Sequence, residues 1–287
     1  MVKLISSKPN TLEILEAPVS QQNARPYLGM SGIGHSCSRA LWYGFRWAYP
    51  INLPTRLLRL FSRGHREEPI VCADLERVGI ECYRVDPEFG EVRITPSDTD
   101  ADQEEMIAGF GHMKGHSDGR CRNVPEARKT DHLLEIKTIN DKGFKTLCKQ
   151  GIRSAKPVYY AQAQIYMRKL KLTRCLHVTV CKNDDAYYVE RLRLDKGFAD
   201  DLERKGESII LSEFPPAKTF APTWWECKFC DARSICHNGV AMDKNCRTCI
   251  HIEIQPAGEW FCTAKQTGLS TEGQRTACTD HYQQIEG

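Results

Sequence analysis

One stretch of the sequence carries the side chains best suited to chemistry. It runs from Gly-His-Ser-Asp-Gly to Leu-Leu-Glu-Ile-Lys-Thr. Residues two apart on a β-strand share a face, so His116 and Asp118 would point the same way on a first strand. Glu135 and Lys137 would likewise share a face on a second strand, and Ile136 would point to the opposite face, into a core. Two antiparallel strands would therefore bring the histidine, both carboxylates and the lysine together.

The residue types in this stretch suit a hard divalent cation. Two carboxylates beside a histidine form an oxygen-rich site of the kind that Mg²⁺ and Mn²⁺ prefer. A lysine two residues from the second carboxylate can orient a water or stabilise negative charge that develops on a phosphate. An isolated Glu-x-Lys is more often a solvated strand face, and Asp-Gly is more often a turn. The rest of the chain must therefore decide between the two interpretations.

The elements around this stretch alternate between strands and helices. Pro157 occupies the favoured first position of a helix, and Gln162 and Tyr166 lie four residues apart on one face of it. The patterns predict a helix at 36–48 with Ser36 as its N-cap, one or two helices at 55–79 with Pro69 as a break, strands at 80–85 and 90–95, a solvated acidic loop at 98–105, a surface connection at 120–130 between the two motif strands, helices at 141–150 and 157–170, a strand pair at 174–181 and 186–194, and a helix at 195–212.

In order and spacing, these motifs resemble those of the PD-(D/E)XK nucleases, in particular their RecB-like branch. The resemblance is carried by His-x-Asp, Glu-x-Lys and Gln-x-x-x-Tyr, and by the helical segment Arg63-Gly-His-Arg-Glu-Glu-Pro69, which resembles the acidic first-helix motif of phage-type recombination exonucleases. Ser117 stands where the family name has a proline, a position that varies among such enzymes. The resemblance implies an α/β fold, with a restriction-endonuclease-like mixed β-sheet core flanked by helices.

The resemblance also implies roles for particular residues. These are Asp118, Glu135 and the backbone carbonyl of Ile136 as metal ligands, His116 as a further ligand, Lys137 as the catalytic lysine, Glu68 as an acid at the metal edge, and Gln162 and Tyr166 as supports of the site and the DNA strand.

The activity that the resemblance implies is hydrolysis of DNA phosphodiester bonds with Mg²⁺ or Mn²⁺. We expect an exonuclease that degrades DNA ends during recombination or repair, with a phage or prophage origin. The expected partners are DNA and a single-strand annealing protein or helicase. Two alternatives remain open: an endonuclease or flap nuclease with the same site, and a non-catalytic DNA-binding iron–sulfur subunit of a recombination complex.

The fourteen cysteines include two groups with the spacing of metal ligands. The first consists of Cys37 and, after the last long helix, Cys227, Cys230 and Cys236. This one-plus-three pattern resembles the iron–sulfur staple of AddB-type and CRISPR-associated RecB-like nucleases, which implies a [4Fe–4S] cluster. Such a cluster would close a loop of about 190 residues and so stabilise the fold. Zinc at the same four cysteines is the alternative.

The second cysteine group lies near the C-terminal end of the sequence. Cys246 and Cys249 form a Cys-x-x-Cys pair, and Cys262 and Cys278 follow it. Four thiolates make a closed tetrahedral zinc site. The segment from Lys244 to Gly287 is too short for a sizeable core of its own, so a metal ion is expected to stabilise it. We therefore predict Zn²⁺ here, with His251 or His281 as substitute ligands and a metal-free segment as the alternative. The other cysteines, Cys72, Cys82, Cys121, Cys148, Cys175 and Cys181, are predicted to be buried thiols.

A basic stretch follows the second motif strand. From Lys142 to Arg174 the chain has nine lysines and arginines and no acid. Phosphate contacts from such residues give affinity without sequence preference, although a charge run is more often a solvated face. Beside the motifs, we predict DNA backbone contacts from Lys142, Lys145, Lys149, Arg153 and Lys156.

Composition places the chain among ordinary globular proteins. Of its 287 residues, 41% are hydrophobic and 27% are charged, and the net charge is only +3. We see no signal peptide and no apolar run of about 18–20 residues that could span a bilayer, so we expect no membrane contact and a cytoplasmic location, in the bacterial host if the chain is phage encoded. The predicted divisions are an N-terminal arm and helix at 1–60, the nuclease core at 61–222, the iron–sulfur segment at 223–240 and a zinc-binding-like module at 241–287.

Overall fold

The computed structural model describes residues 10–17, 24–51, 53–95 and 103–283. The helices are α1 (Thr11–Glu16), α2 (Ser38–Phe45), α3 (Thr55–Arg77), α4 (Asp141–Ala155), α5 (Pro157–Lys169), α6 (Lys196–Leu211), α7 (Trp225–Lys228) and α8 (Arg233–Asn238). The strands are β1 (Leu28–Gly29), β2 (Glu81–Asp86), β3 (Gly90–Arg93), β4 (Glu104–Ala108), β5 (Met113–Ser117), β6 (Gly119–Arg122), β7 (His132–Ile139), β8 (Arg174–Cys181), β9 (Tyr187–Arg193), β10 (Ile252–Ile254), β11 (Trp260–Cys262) and β12 (Thr267–Leu269).

The main sheet is mixed. Within the described residues its strand order is β3-β2-β6-β7-β8-β9. β7 and β8 are parallel, and the other neighbours are antiparallel. A parallel pair needs a crossover connection, which α4 and α5 supply. The predicted mixed α/β architecture is therefore confirmed.

Strand β7 separates two hydrophobic cores. Leu134 and Ile136 face one core, which α3 covers with Val71 and Cys72. Leu133 belongs to the other core, which contains α5, α2 and α6. Because side chains alternate along a strand, Glu135 and Lys137 share the Leu133 face and so point toward α5. Helix α5 is buried from Tyr160 to Met167, as expected of a helix enclosed on all sides.

The chain changes sheets at Asp118. β5 lies in a second sheet, of order β1-β5-β4, whereas β6 lies in the main sheet next to β7. The prediction of one strand that carries both His116 and Asp118 and pairs with the Glu135 strand is therefore wrong. The predicted surface connection at 120–130 is wrong at its start, because residues 120–122 lie in β6 and Cys121 is fully buried.

Gly119 makes this change of sheet possible. Its φ is +140°, a value that favours glycine, and an added Cβ would lie 2.4 Å from Cδ1 of Ile94. A larger residue would therefore clash with the core beside Asp118.

Several predicted boundaries need correction. α3 is one continuous helix through Pro69, although a proline cannot donate to the carbonyl four residues earlier. Helix α2 begins at Ser38, and its N-cap is Cys37 instead of Ser36: the Cys37 sulfur accepts from the N–H of Ala40. α4 extends to Ala155 through a kink at Gly151.

The predicted acidic loop at 98–105 falls only partly within the described residues. Residues 98–102 lie outside the described residues, as do 1–9, 18–23 and 52 of the predicted N-terminal arm and 284–287 of the predicted C-terminal module. Glu104 and Glu105 lie on β4, not in a loop, because this segment pairs antiparallel with β5. Both side chains are ion-paired, Glu104 with Arg120 and Glu105 with Lys114. No helix in the described ranges combines the length and apolar character needed to span a membrane.

The C-terminal segment packs on the core through a buried arginine. Arg247 is 1% exposed and donates to the carbonyls of Phe45 (3.0 Å) and Pro26 (2.8 Å). Its guanidinium carbon lies 3.8 Å from the ring centroid of Trp47 and 4.4 Å from that of Trp260. Burial, then the charges of nearby arginines, lowers the pKa of Arg247. This contact joins the small β10-β11-β12 sheet to the N-terminal region.

Candidate active site

Three charged residues meet at the point where β5, β6 and β7 come together. Glu135 is fully buried, and its Oε1 forms an ion pair with Nζ of Lys137. The same Nζ lies 3.8 Å from Oδ2 of Asp118. Asp118 Oδ2 also accepts a hydrogen bond of 2.7 Å from the backbone N–H of Ile136. The sequence motifs thus lie together, although Asp118 reaches β7 from the junction between two sheets and not from a paired strand.

Burial and charge act in opposite directions in this group. Burial raises the pKa of Glu135 to about 7, and the Asp118 charge acts in the same direction against the stabilising Lys137 charge. Burial alone would lower the pKa of Lys137, but Glu135 and Asp118 outweigh it and hold that pKa above its ordinary value. The lysine is therefore an ammonium group at neutral pH.

One oxygen of Glu135 lacks a partner. Among the described residues, no donor is hydrogen-bonded to its Oε2, although the side chain is fully buried. Buried polar atoms are almost always satisfied, and an unsatisfied one is costly. An orphaned carboxylate oxygen next to a second carboxylate is the arrangement that a bound cation would satisfy.

The residues present fit Mg²⁺ or Mn²⁺. In the described part of the chain, no group of three or more histidine, cysteine, aspartate and glutamate side chains is arranged to hold a metal ion. Mg²⁺ usually keeps several waters and takes only one or two carboxylates together with substrate phosphates. Asp118 and Glu135, with the orphaned oxygen, meet that smaller requirement.

Tyr166 lies directly behind the charged group. An added Cβ on Gly115 would lie 2.7 Å from Cε1 of Tyr166, so glycine is needed for the ring to pack against β5. Burial, then the Glu135 charge, raises the pKa of Tyr166, and its hydroxyl lies within hydrogen-bonding reach of the backbone of His116. Gln162, one turn earlier, is only 5% exposed.

His116 and Glu68 approach from two other elements. His116 Nε2 lies 3.5 Å from Glu105 Oε1, and its ring lies 6.4 Å from that of Tyr27. The imidazole therefore contacts β4 and the segment before β1. Glu68 extends from α3, where its Oε2 accepts from Gln103 (3.2 Å). The hydrogen bond with Cys82 and burial, then the charges of Asp118 and Glu68, raise the pKa of the Cys72 thiol, so both acids lie near that thiol.

A cleft of about 960 Å³ gives access to this group. Glu68 of α3, and Ile136 and Lys137 of β7, line it. Tyr159 and Lys182 also line the cleft, although the sequence motifs did not predict either of them as a site residue. The only available signal was their position, one at the start of a helix and the other directly after a buried strand.

The predicted DNA-contacting residues form a stripe on α4. Lys142, Lys145, Lys149 and Arg153 are all exposed. The spacing of three and four residues places the first three on one helical face, and Arg153 follows beyond the kink at Gly151. Lys145 is paired with Asp141 at 2.9 Å, and the Arg153 guanidinium lies 5.3 Å from the ring centroid of Tyr160. Nζ of Lys156, past the end of α4, lies 5.8 Å from the ring centroid of Tyr159, which lines the cleft. Arg168 and Lys169, farther along the basic stretch, pair instead with acids of α6.

The first cysteine group comes together between α2 and the α7–α8 segment. Burial raises the pKa of Cys227 and Cys230, and the next-largest cause in Cys227 is the neighbouring Cys37 thiol. Cys236 also acts on Cys227. Among the described residues, however, no group of three or more cysteine, histidine, aspartate and glutamate side chains is arranged to hold a metal ion, so the iron–sulfur cluster and the zinc site stay predictions.

The second cysteine group surrounds a small cavity of about 20 Å³. Burial, then the neighbouring thiols, raises the pKa of Cys246; those thiols are Cys278, Cys262 and Cys249. His251 and His281 line the same cavity. Of the cysteines predicted to be buried thiols, Cys148 is the exception: it lies on α4 and is exposed.

Comparisons with known proteins find distant likenesses among solved structures. No protein-family model matches the sequence, and no curated protein matches it. The alkaline exonuclease LHK-Exo from Laribacter hongkongensis, bound to dAMP, is similar to this chain with a TM-score of 0.44 and 17% identity, over 64% of this chain and 86% of that one. A second LHK-Exo structure gives 0.42 and 16%, over 65% and 87%. A protein named SSO0001 gives 0.36 and 18%, over 77% and 91%.

Proposed function

We propose that this protein is a metal-dependent deoxyribonuclease that hydrolyses phosphodiester bonds at DNA ends. One observation carries the proposal: a buried carboxylate with an orphaned oxygen lies against a second carboxylate and a lysine, at the wall of a large cleft. A buried charge group of this kind costs stability, and such groups concentrate where chemistry needs them.

Each residue of the group has a defined role in this proposal. Asp118, Glu135 and the carbonyl of Ile136 would hold Mg²⁺ or Mn²⁺, which activates water and neutralises the scissile phosphate when bound. Lys137 is held between the two carboxylates and is 22% exposed, so its ammonium can position the attacking water or stabilise the phosphate charge in the transition state. Glu68 lies at the edge of the cleft, and His116 is proposed as a further ligand. Gln162 and Tyr166, on α5, would support the site and the DNA strand.

The α4 stripe is proposed to bind the DNA backbone. Its exposed lysines and arginine would neutralise phosphates without reading sequence. Lys156 would continue the stripe as far as Tyr159 on the cleft wall. A DNA strand bound along the stripe would then enter the cleft, which Lys137 lines.

A nuclease assay tests this proposal and separates it from its alternatives. The substrates are end-labelled linear duplex, single strand and closed circle, with Mg²⁺ or Mn²⁺, and Asp118→Asn is the inactive control. We expect degradation of linear DNA alone, abolished in the variant. Cleavage of circles would favour an endonuclease, and DNA binding without metal-dependent cleavage would favour a non-catalytic subunit.

The cysteine groups are proposed to hold structural metal centres. We propose a [4Fe–4S] cluster at Cys37, Cys227, Cys230 and Cys236, and Zn²⁺ at Cys246, Cys249, Cys262 and Cys278. Four thiolates suit both centres, and each would tie distant parts of the chain together. Anaerobic purification followed by elemental analysis tests both: the absence of iron rejects the cluster, and the absence of zinc rejects the second site.

The proposed setting is recombination or repair in a bacterial cytoplasm, with a phage or prophage origin. A single-strand annealing protein or helicase is the proposed partner, because an exonuclease that resects an end leaves a single strand for such a protein to use.

A further inference from the structure

Tyr159 occupies the cleft beside the charged group and has a rigid support behind it. It lies near the start of α5, on the cleft wall, next to Lys137. Its ring stacks on the fully buried imidazole of His177, with centroids 6.5 Å apart and planes 28° apart. His177 is in turn fixed by a 2.9 Å hydrogen bond between its Nε2 and Oγ1 of Thr179. The phenol is therefore held in place from the sheet side.

Two lysines flank this ring. Nζ of Lys137 lies 5.9 Å from its centroid, and Nζ of Lys156 lies 5.8 Å from it. Tyr159 thus connects the lysine of the charged group with the last member of the basic stripe. Within the described residues, no carboxylate forms an ion pair with Lys156, and the Tyr159 hydroxyl makes no hydrogen bond to another side chain or to the backbone.

The next residue on α5, Tyr160, is a tyrosine whose surroundings are purely structural. Tyr160 is 8% exposed and belongs to the hydrophobic core, with its ring 5.6 Å from that of Phe198. It does not line the cleft. Adjacent residues of α5 thus have different surroundings, one phenol in the core and one facing the space where substrate would enter.

We propose that Tyr159 is a substrate-positioning residue, whose hydroxyl donates a hydrogen bond to a DNA phosphate next to the scissile one. This inference rests on the proposed nuclease function and assigns a residue that the motifs do not contain. Tyrosine hydroxyls commonly contact nucleic-acid phosphates, and a hydrogen bond to an anionic oxygen is about twice as strong as a neutral one. With Lys156 on the same phosphate, the strand would be fixed in register so that the next phosphate meets Lys137.

The test compares two variants that each lose one hydroxyl, Tyr159→Phe and Tyr160→Phe. Tyr159→Phe keeps the ring, its stacking on His177 and both lysine contacts, so the fold is retained. With Mg²⁺ and an end-labelled single strand, we expect its KM to rise about tenfold, with a much smaller change in kcat. Tyr160→Phe should match the wild type in both constants. An unchanged KM in Tyr159→Phe, or equal effects in the two variants, would overturn the inference.

Binding to uncleaved DNA separates this inference from the proposed function. In the Asp118→Asn background, fluorescence anisotropy with a labelled oligonucleotide should show about tenfold weaker binding when Tyr159→Phe is added. If the wild type binds DNA but does not cleave it, the nuclease proposal fails while this comparison still decides the role of Tyr159. If Tyr159→Phe binds as tightly as its parent, the inference fails whether or not the wild type cleaves.

Discussion

The carboxylate of Asp118 accepts a 2.7 Å hydrogen bond from the backbone N–H of Ile136. This bond joins the junction between the two sheets to the middle of β7. Its donor, Ile136, lies directly between Glu135 and Lys137 in the sequence. It fixes the second carboxylate of the site relative to the first. The geometry of the site therefore depends on a backbone contact as much as on the ion pair.

The ion pair itself should be tested through stability. Lys137→Met leaves the fully buried Glu135 carboxylate without its counter-charge. We expect the free energy of unfolding at neutral pH to fall by about 3–5 kcal/mol, measured by chemical denaturation. The double variant Glu135→Gln with Lys137→Met should recover most of that loss, because no unpaired charge remains. If the double variant is as unstable as Lys137→Met, the loss does not come from a stranded charge.

Gly119 should tolerate no side chain. Gly119→Ala forces a Cβ into Ile94 at a φ of +140°. We expect a loss of about 1–3 kcal/mol in unfolding free energy, together with a loss of activity, since Asp118 is the preceding residue. Gly268→Ala is the matched control, because no atom lies within 4 Å of its added Cβ. Equal stability of the two variants would show that the sheet junction does not require glycine.

Arg247 should hold the C-terminal segment on the core. Arg247→Met leaves the carbonyls of Phe45 and Pro26 without their donor, so we expect the unfolding free energy to fall by about 3 kcal/mol or more. Limited proteolysis should then release the C-terminal segment. The control is Arg204→Met, since exposed Arg204 pairs with exposed Asp201, and its loss should stay within about 0.5 kcal/mol. Resistance of Arg247→Met to proteolysis would contradict this role.

The α4 stripe should contribute to DNA affinity through charge alone. Replacing Lys142 and Lys149 by glutamine should reduce the slope of log affinity against log salt by about 1.4 on single strands and 1.8 on duplex. Arg168→Gln with Lys169→Gln removes the same charge from residues already paired with α6, and should leave the slope unchanged. Equal slopes for the two double variants would exclude the stripe as the DNA contact.

Local sequence patterns predicted the parts of the fold that local physics controls. The alternation in β7 correctly predicted Ile136 in a core and Glu135 and Lys137 on the other face, and the proline at the start of α5 correctly marked its first turn. These features depend on neighbours two to four residues away.

Sequence patterns failed where distant segments decide the outcome. Periodicity cannot say which sheet a strand joins, so the change of sheet at Asp118 was missed. The contact of Arg247 with Trp47 joins residues that are far apart in sequence. Tyr159 and Tyr160 have identical side chains and adjacent positions, so only packing separates the cleft residue from the core residue.

The most direct test of the central claim is metal-dependent cleavage by Glu135→Gln. The substitution keeps the size of the side chain and removes the charge that would hold the cation. Cleavage of end-labelled linear DNA is measured against Mg²⁺ and Mn²⁺ concentration, with Glu203→Gln as control, because Glu203 of α6 pairs with Lys169 and does not line the cleft. We expect wild-type rates for the control and a loss of about 10²–10³-fold or more for Glu135→Gln. Wild-type cleavage by Glu135→Gln, at the same metal concentrations, would contradict the claim.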